Sequence, residues 1–152
     1  MSSAGAAAAP EGPNIGLLLY LPYRAMENRV FAALAAAGFD DVTPAQAKVF
    51  QRIGPNGTRL TDLAEQAQVT KQTAGFLVDQ LERTGYVRRT PDPADARARL
   101  VRIAERGAAA QLIAARVVAE VEGEWTRHLG VRRMTQVRDA LTRLREITDP
   151  YA

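Results

Sequence analysis

Residues 60–84 read LTDLAEQAQVTKQTAGFLVDQLERT, and the fold is decided by how this stretch is divided. The spacing predicts a short helix over 60–67 and a longer one over 70–84, with Thr70 as the cap of the second. Only Gln68 and Val69 separate them. Two helices joined by so tight a turn define a helix-turn-helix. Leu63, Ala64, Ala67, Val69, Ala74, Leu77, Val78 and Leu81 fall at spacings that would lock the two helices together. Ala64 is small, as close approach of two helices requires.

Working outward, the period changes after Gly85. Residues 86–90 and 98–103 are strand-like, and Pro91-Asp92-Pro93-Ala94-Asp95 between them is turn chemistry. A β-hairpin directly after the second helix stands where a wing would be. Upstream, Thr43-Pro44-Ala45-Gln46 combines a capping box with proline in the first turn, and predicts a helix to about Ile53. Gly54-Pro55-Asn56-Gly57 breaks it. A longer helix is expected over 14–37, with Leu17, Tyr20, Leu21, Met26, Val30, Phe31 and Leu34 at helical spacing and Gly38 as its stop. Pro22 predicts a kink or a late start there. Two long helices, about 105–129 and 132–147, finish the chain. Met134, Val137, Leu141, Leu144 and Ile147 mark one face of the last. The fold class is therefore mainly α with a small β-hairpin wing.

Composition sets the outer limits. The chain has 152 residues, enough for one domain with a real core, and 47% of them are apolar. It has no cysteine, which excludes disulfides, thiolate zinc sites and thiol chemistry. A formal charge of +3, from 20 Lys+Arg against 17 Asp+Glu, permits nucleic acid as a partner without demanding it. No run reaches the roughly 18 apolar residues of a membrane span. The opening residues lack the basic start and apolar run of a signal peptide, so 1–13 read as a disordered tail and the protein as cytoplasmic. The lone histidine, His128, has no partner constellation, and no Gly-rich phosphate loop is present. Glu120, Glu122 and Glu124 look like a solvated helix face. Neither an enzyme, a metal site nor a cofactor is expected.

These stretches carry a resemblance. LTDLAEQAQVTKQTAGFLVDQLERTGYV at 60–87, followed by DPADARARLVRIAERG at 92–107, resembles the core of the MarR family of winged helix-turn-helix transcriptional regulators. The second stretch has the family's wing pattern of Asp-Pro, an acidic residue, arginine, valine and a closing glycine. The likeness is strongest over about 43–107 and extends more loosely to the helix before and the two after. It implies one domain over 14–152, with a DNA-binding lobe at 43–104 and dimerisation helices at 14–37 and 105–149.

The physical logic for DNA stands beside the resemblance. A major groove admits one helix, whose first turns reach base edges. The second helix opens with Thr70, Lys71, Gln72 and Thr73, all polar, and Gln72 suits adenine. Phe76 follows where many relatives carry a polar residue; it would either touch thymine methyls or pack inward. Gly75 beside it would permit close backbone approach. Arg88, Arg89, Arg97, Arg99 and Arg102 decorate the hairpin, with Asp92 and Asp95 at its bend. The resemblance implies that Arg97 at the tip enters a minor groove and that a neighbouring aspartate such as Asp95 orients it.

A homodimer on a pseudo-palindromic double-stranded operator is implied too, with repression as the family's usual outcome. The apolar faces at Leu17 and Leu21, at Leu112, Val117 and Val121, and along the last helix exceed what one small lobe can cover. Relatives of this type commonly bind small aromatic or phenolic molecules between dimer helices and lobe. Tyr20, Tyr23, Arg24, Phe50 and Trp125 are the candidates to border such a pocket. The competing reading is a winged-helix module for protein–protein interaction.

Overall fold

The computed structural model describes residues 11–151. Most of the tail expected over 1–13 lies outside the described residues. Helix α1 spans Ile15–Ala36, and the side chain of Asn14 caps it by accepting from Leu17 N at 3.0 Å. The helix begins before Pro22 and continues past it, so of the kink or late start expected there the late start does not occur. Proline removes one amide donor, but the cap and the remaining turns carry the helix past it.

Helix α2, Pro44–Phe50, has the expected capping box in full: Gln46 N donates to Thr43 Oγ1, and Thr43 N donates to Gln46 Oε1. It ends short of Ile53, which is nevertheless buried. Strand β1, Thr58–Arg59, leads directly into α3, Leu60–Ala67. The turn to α4, Lys71–Arg83, is made by Gln68, Val69 and Thr70, with Gln68 in the left-handed region at φ 56°. Helix α4 is closed by Gly85 at φ 85°, after which Tyr86 N returns to Leu81 O.

Strands β2, Val87–Asp92, and β3, Asp95–Ile103, form an antiparallel hairpin. The hairpin is longer than expected, and only Pro93 and Ala94 remain as its turn. It is also not alone: β1 pairs with β3, giving a three-stranded sheet in the order β1-β3-β2. A two-residue strand after the Gly54–Gly57 break offers too little periodicity to be read in advance. Helices α5, Glu105–Leu129, and α6, Val131–Thr148, complete the order.

The core sits in the lobe between α2 and β3. Val49, Leu63, Val78, Leu81, Tyr86, Val87 and Val101 are its largest fully buried side chains. Helix α1 packs on α5 with Leu34 buried, and Val117 and Val121 of α5 are buried as well. Those two valines therefore serve packing within the chain, whereas Leu112 is 75% exposed. Helix α6 buries no residue at all, and Val137, Leu141 and Leu144 stand exposed along it. The carboxylates expected on a solvated face are largely exposed and also reach across to other helices: Glu120 and Glu124 pair with Arg29 of α1, and Glu122 with Arg138 of α6. Among the described residues, no helix is long and apolar enough to cross a membrane.

Candidate nucleic-acid interface

Helix α4 is held by its inner face. Ala74, Leu77, Val78 and Leu81 are buried, while Lys71, Gln72, Thr73, Phe76 and Asp79 point outward. Its position is fixed from two sides. Ala64 of α3 is buried against the helix pair, as its small size foretold. On the other side the buried amide of Gln46 donates to Gln80 Oε1 at 3.0 Å, tying α2 to α4. Nothing in the sequence signals that pair, whose members lie 34 residues apart.

At the opening turn, Thr70 Oγ1 accepts from Thr73 N at 3.0 Å and donates to Thr73 Oγ1 at 2.9 Å. Both hydroxyls are therefore engaged in the cap. Lys71 and Gln72 are exposed and have no side-chain hydrogen bond or ion pair among the described residues. Phe76 is 58% exposed, so it does not pack inward.

The wing arginines divide into two sets. Arg89 is drawn back onto the lobe: its guanidinium reaches Asp79 at 2.7 Å and Glu82 at 3.0 Å, and its side chain is only 19% exposed. Arg102 donates to Thr90 Oγ1, and Arg99 reaches no further than the carbonyl of Arg89. The guanidinium groups of Arg88 and Arg97 have no partner among the described residues. Arg97 sits in a bulge and not at the tip. Pro91 faces Arg99 while Asp92 faces Asp95, so Ala96, Arg97 and Ala98 have no residue opposite. Such a bulge bends the strand and re-aims its side chains. Asp95 accepts from the backbone N of Arg97 and makes no contact with its guanidinium, so the expected orienting role is one of backbone shape. Asp92 turns inward instead. It accepts from Ala94 N and then from Arg59, and these two contacts hold its carboxyl below the usual range.

A junction that the sequence did not announce joins lobe and helices. Arg106, in the first turn of α5, donates to Asp41 at 2.9 Å and to the carbonyl of Thr84, the α4 cap, at 2.8 Å. Its guanidinium lies 4.4 Å over the ring of Tyr86. Tyr86 in turn donates its hydroxyl to Asp41. Burial, then this carboxylate, pushes the Tyr86 pKa up, while Arg106 and then Tyr86 hold Asp41 below its ordinary value. Gly107 makes the packing possible, because a Cβ there would stand 2.2 Å from the carbonyl oxygen of Tyr86.

Beside this junction, α1, α2 and α5 enclose a cavity of about 370 Å³. Tyr23, Phe50 and Tyr86 contribute aromatic wall, and Lys48, Glu27 and Gln111 contribute polar groups. Tyr23 donates to Glu27 at 2.7 Å, and that bond, with burial, pushes its pKa up to about 12. Of the five pocket candidates, Tyr23 and Phe50 reach the wall. Tyr20, Arg24 and Trp125 do not; Arg24 stacks over Tyr20 on exposed α1.

Comparison with known proteins agrees with this architecture. Residues 40–98 match the model of the MarR family. A transcriptional regulator from Thermotoga maritima, Tm0710, is 27% identical over 89% of this chain and 94% of its own, with a TM-score of 0.61. Wild-type MarR from E. coli is 23% identical, covers 89% of this chain and 98% of its own, and has a TM-score of 0.66. A MepR mutant from S. aureus, bound to an oligodeoxyribonucleotide, is 19% identical over 90% of this chain and 99% of its own, with a TM-score of 0.58. No curated protein sequence matches the chain. The wing, the helix pair and the flanking helices follow the same order as in these structures, so the chain has their winged helix-turn-helix fold, and its residues 40–98 are similar to the MarR family.

Proposed function

We propose that this protein is a cytoplasmic repressor that binds a pseudo-palindromic DNA operator as a homodimer. Helix α4 enters the major groove with Lys71 and Gln72 leading, while the wing sets Arg97 into the adjacent minor groove and Arg88 and Arg99 beside the backbone. The observation that carries this reading is the division of the basic groups. Arg89 and Arg102 are engaged with the protein, whereas the side chains of Lys71 in the first turn of α4, Arg88 near the start of β2 and Arg97 in the bulge of β3 are without a partner among the described residues. An unpaired cation beside a groove-sized helix suits phosphate and groove edges. The related MepR fold is held on an oligodeoxyribonucleotide, which supports the same use here.

The second copy follows from α6. A helix of 18 residues that buries none of them, with Val137, Leu141 and Leu144 exposed, gains little from apolar burial within its own chain. The apolar N-terminal half of α1, from Ile15 to Tyr23, is equally uncovered. A twofold arrangement would cover both and would set two α4 helices about one DNA turn apart. The cavity at the lobe–helix junction is of the size that small ligands use, and a small aromatic or phenolic molecule there would release DNA by shifting the lobe spacing.

Selection of bound sequences from random duplex DNA, repeated across salt concentrations, tests the reading. A recovered pseudo-palindrome with half-sites one turn apart is expected. On that site Arg97→Ala should weaken binding tenfold or more while the dimer stays folded. Weak, sequence-blind binding at every salt concentration would instead favour a protein-interaction module.

A further inference from the structure

We infer that Phe76 reads the 5-methyl group of a thymine at one position of each operator half-site; this rests on the DNA reading proposed above. Gln72 and Thr73 lie one turn before Phe76 on the same face of α4, since residues three and four apart stack along a helix. The buried residues Ala74, Leu77 and Val78 occupy the opposite face. Phe76 therefore stands in the row of side chains that meets the groove, and it is 58% exposed with no aromatic or cation partner among the described residues.

The readable part of α4 is short. Asp79 and Glu82 follow on the outer side, and the two carboxylates share the single guanidinium of Arg89, so a net negative charge remains there against phosphate. Phe76 is thus the last outward side chain before an acidic stretch and the one large apolar group within reach of the bases. The major-groove edges offer donors and acceptors that a phenyl ring cannot match. Their one apolar group is the thymine methyl. Against cytosine, adenine or guanine the ring would strip water from a polar edge and return no hydrogen bond, which is unfavourable. Attraction to thymine and rejection of the others then come from the same side chain.

The test uses the site selected by the full-length wild-type protein and the same site with each thymine replaced in turn by deoxyuridine. That change deletes only the methyl and leaves the hydrogen-bonding edges intact. One thymine per half-site should be sensitive. Affinity is expected to fall about fourfold for one methyl, and about fifteenfold when both half-sites are changed. Phe76→Ala should bind the thymine and deoxyuridine duplexes equally and select no thymine at that position, while Phe76→Leu should keep part of the discrimination. An exposed ring leaves the core untouched, so equal thermal unfolding of the variants is expected. A selected site whose thymines all tolerate deoxyuridine, or lose equally with Phe76→Ala, overturns this inference and leaves the DNA reading standing. Failure to select any sequence overturns both.

Discussion

The lobe and the helical frame hold themselves together in different ways. The lobe draws fully buried side chains from α2, α3, α4, β2 and β3, among them Val49, Leu63, Val78, Leu81 and Val101. The frame buries only a few small or branched side chains where α1 meets α5, among them Leu34, Val117 and Val121, adds half-exposed ion pairs, Arg29 with Glu124 and Arg138 with Glu122, and buries nothing of α6. Exposed ion pairs contribute about 0–1 kcal/mol each, whereas one fully buried leucine contributes about 1.5–3 kcal/mol. The lobe is therefore closed by its own residues. The frame leaves its leucines exposed, and these are the surface that the proposed second copy would cover.

The sharpest way to break this contrast is at the point where the two regions meet. Gly107→Ala would push a Cβ to 2.2 Å from the Tyr86 carbonyl oxygen and 2.9 Å from a ring carbon of Phe50. Backbone must move, and a loss of about 3 kcal/mol or more in urea unfolding is expected. An unchanged midpoint would show that α5 is free to slide on the lobe. Next in size is Leu141→Glu. In a twofold interface the charge is buried twice, so a dimer weakened by about 3 kcal/mol or more is expected, read by sedimentation equilibrium. The lobe should keep its fold, because no residue of α6 belongs to its core. A dimer that survives unchanged would place the interface elsewhere.

A smaller effect concerns the place where α6 returns to the lobe. Arg52 of the α2 end grips Asp149 at 2.9 and 3.1 Å, and Arg145 adds a third contact. Arg52 first, and Arg145 after it, lower the Asp149 pKa from 3.8 to about 2. A carboxyl depressed on folding stabilises the folded state above its unfolded pKa, and that stabilisation is lost as pH falls through the folded value. The stability difference between wild type and Asp149→Asn should accordingly be constant above about pH 5 and vanish between about pH 4 and 2. A difference that persists at pH 2 would mean that Asp149 acts through packing and not charge.

Much of the lobe was legible because its signals are local. The capping box at Thr43 and Gln46, the Thr70 cap and the buried row Ala74, Leu77, Val78, Leu81 each rest on spacing within one helix. Strand β1 was missed because two residues carry no period, and the Arg97 bulge because a bulge is a mismatch between strands. The Arg106–Asp41–Tyr86 junction and the Gln46–Gln80 bond lie beyond sequence reading for a related reason: their partners meet only once the chain has folded. Tyr20, Arg24 and Trp125 stand outside the cavity wall because helical spacing gives a face, but not which neighbour that face meets. Phe76 shows the converse, since an aromatic residue that propensity would bury is left facing outward.

The smallest predicted effect separates two readings of Gly75. Glycine inside a helix costs up to about 1 kcal/mol against alanine. A Cβ at this position would meet Leu60 Cδ2 at 3.6 Å, an ordinary contact with α3. The added methyl is thus directed toward the neighbouring helix and not toward the row of Gln72 and Phe76. Gly75→Ala should therefore raise stability by about 0.4–1 kcal/mol in urea unfolding, mainly through the entropy of the unfolded chain. Affinity for the selected operator should stay within about twofold, because a lone methyl outside the contact row changes the bound surface little. Gained stability with operator affinity lost tenfold would show the opposite: the bare backbone at Gly75 is what lets α4 seat deeply, and glycine is kept there for the groove at the expense of the helix.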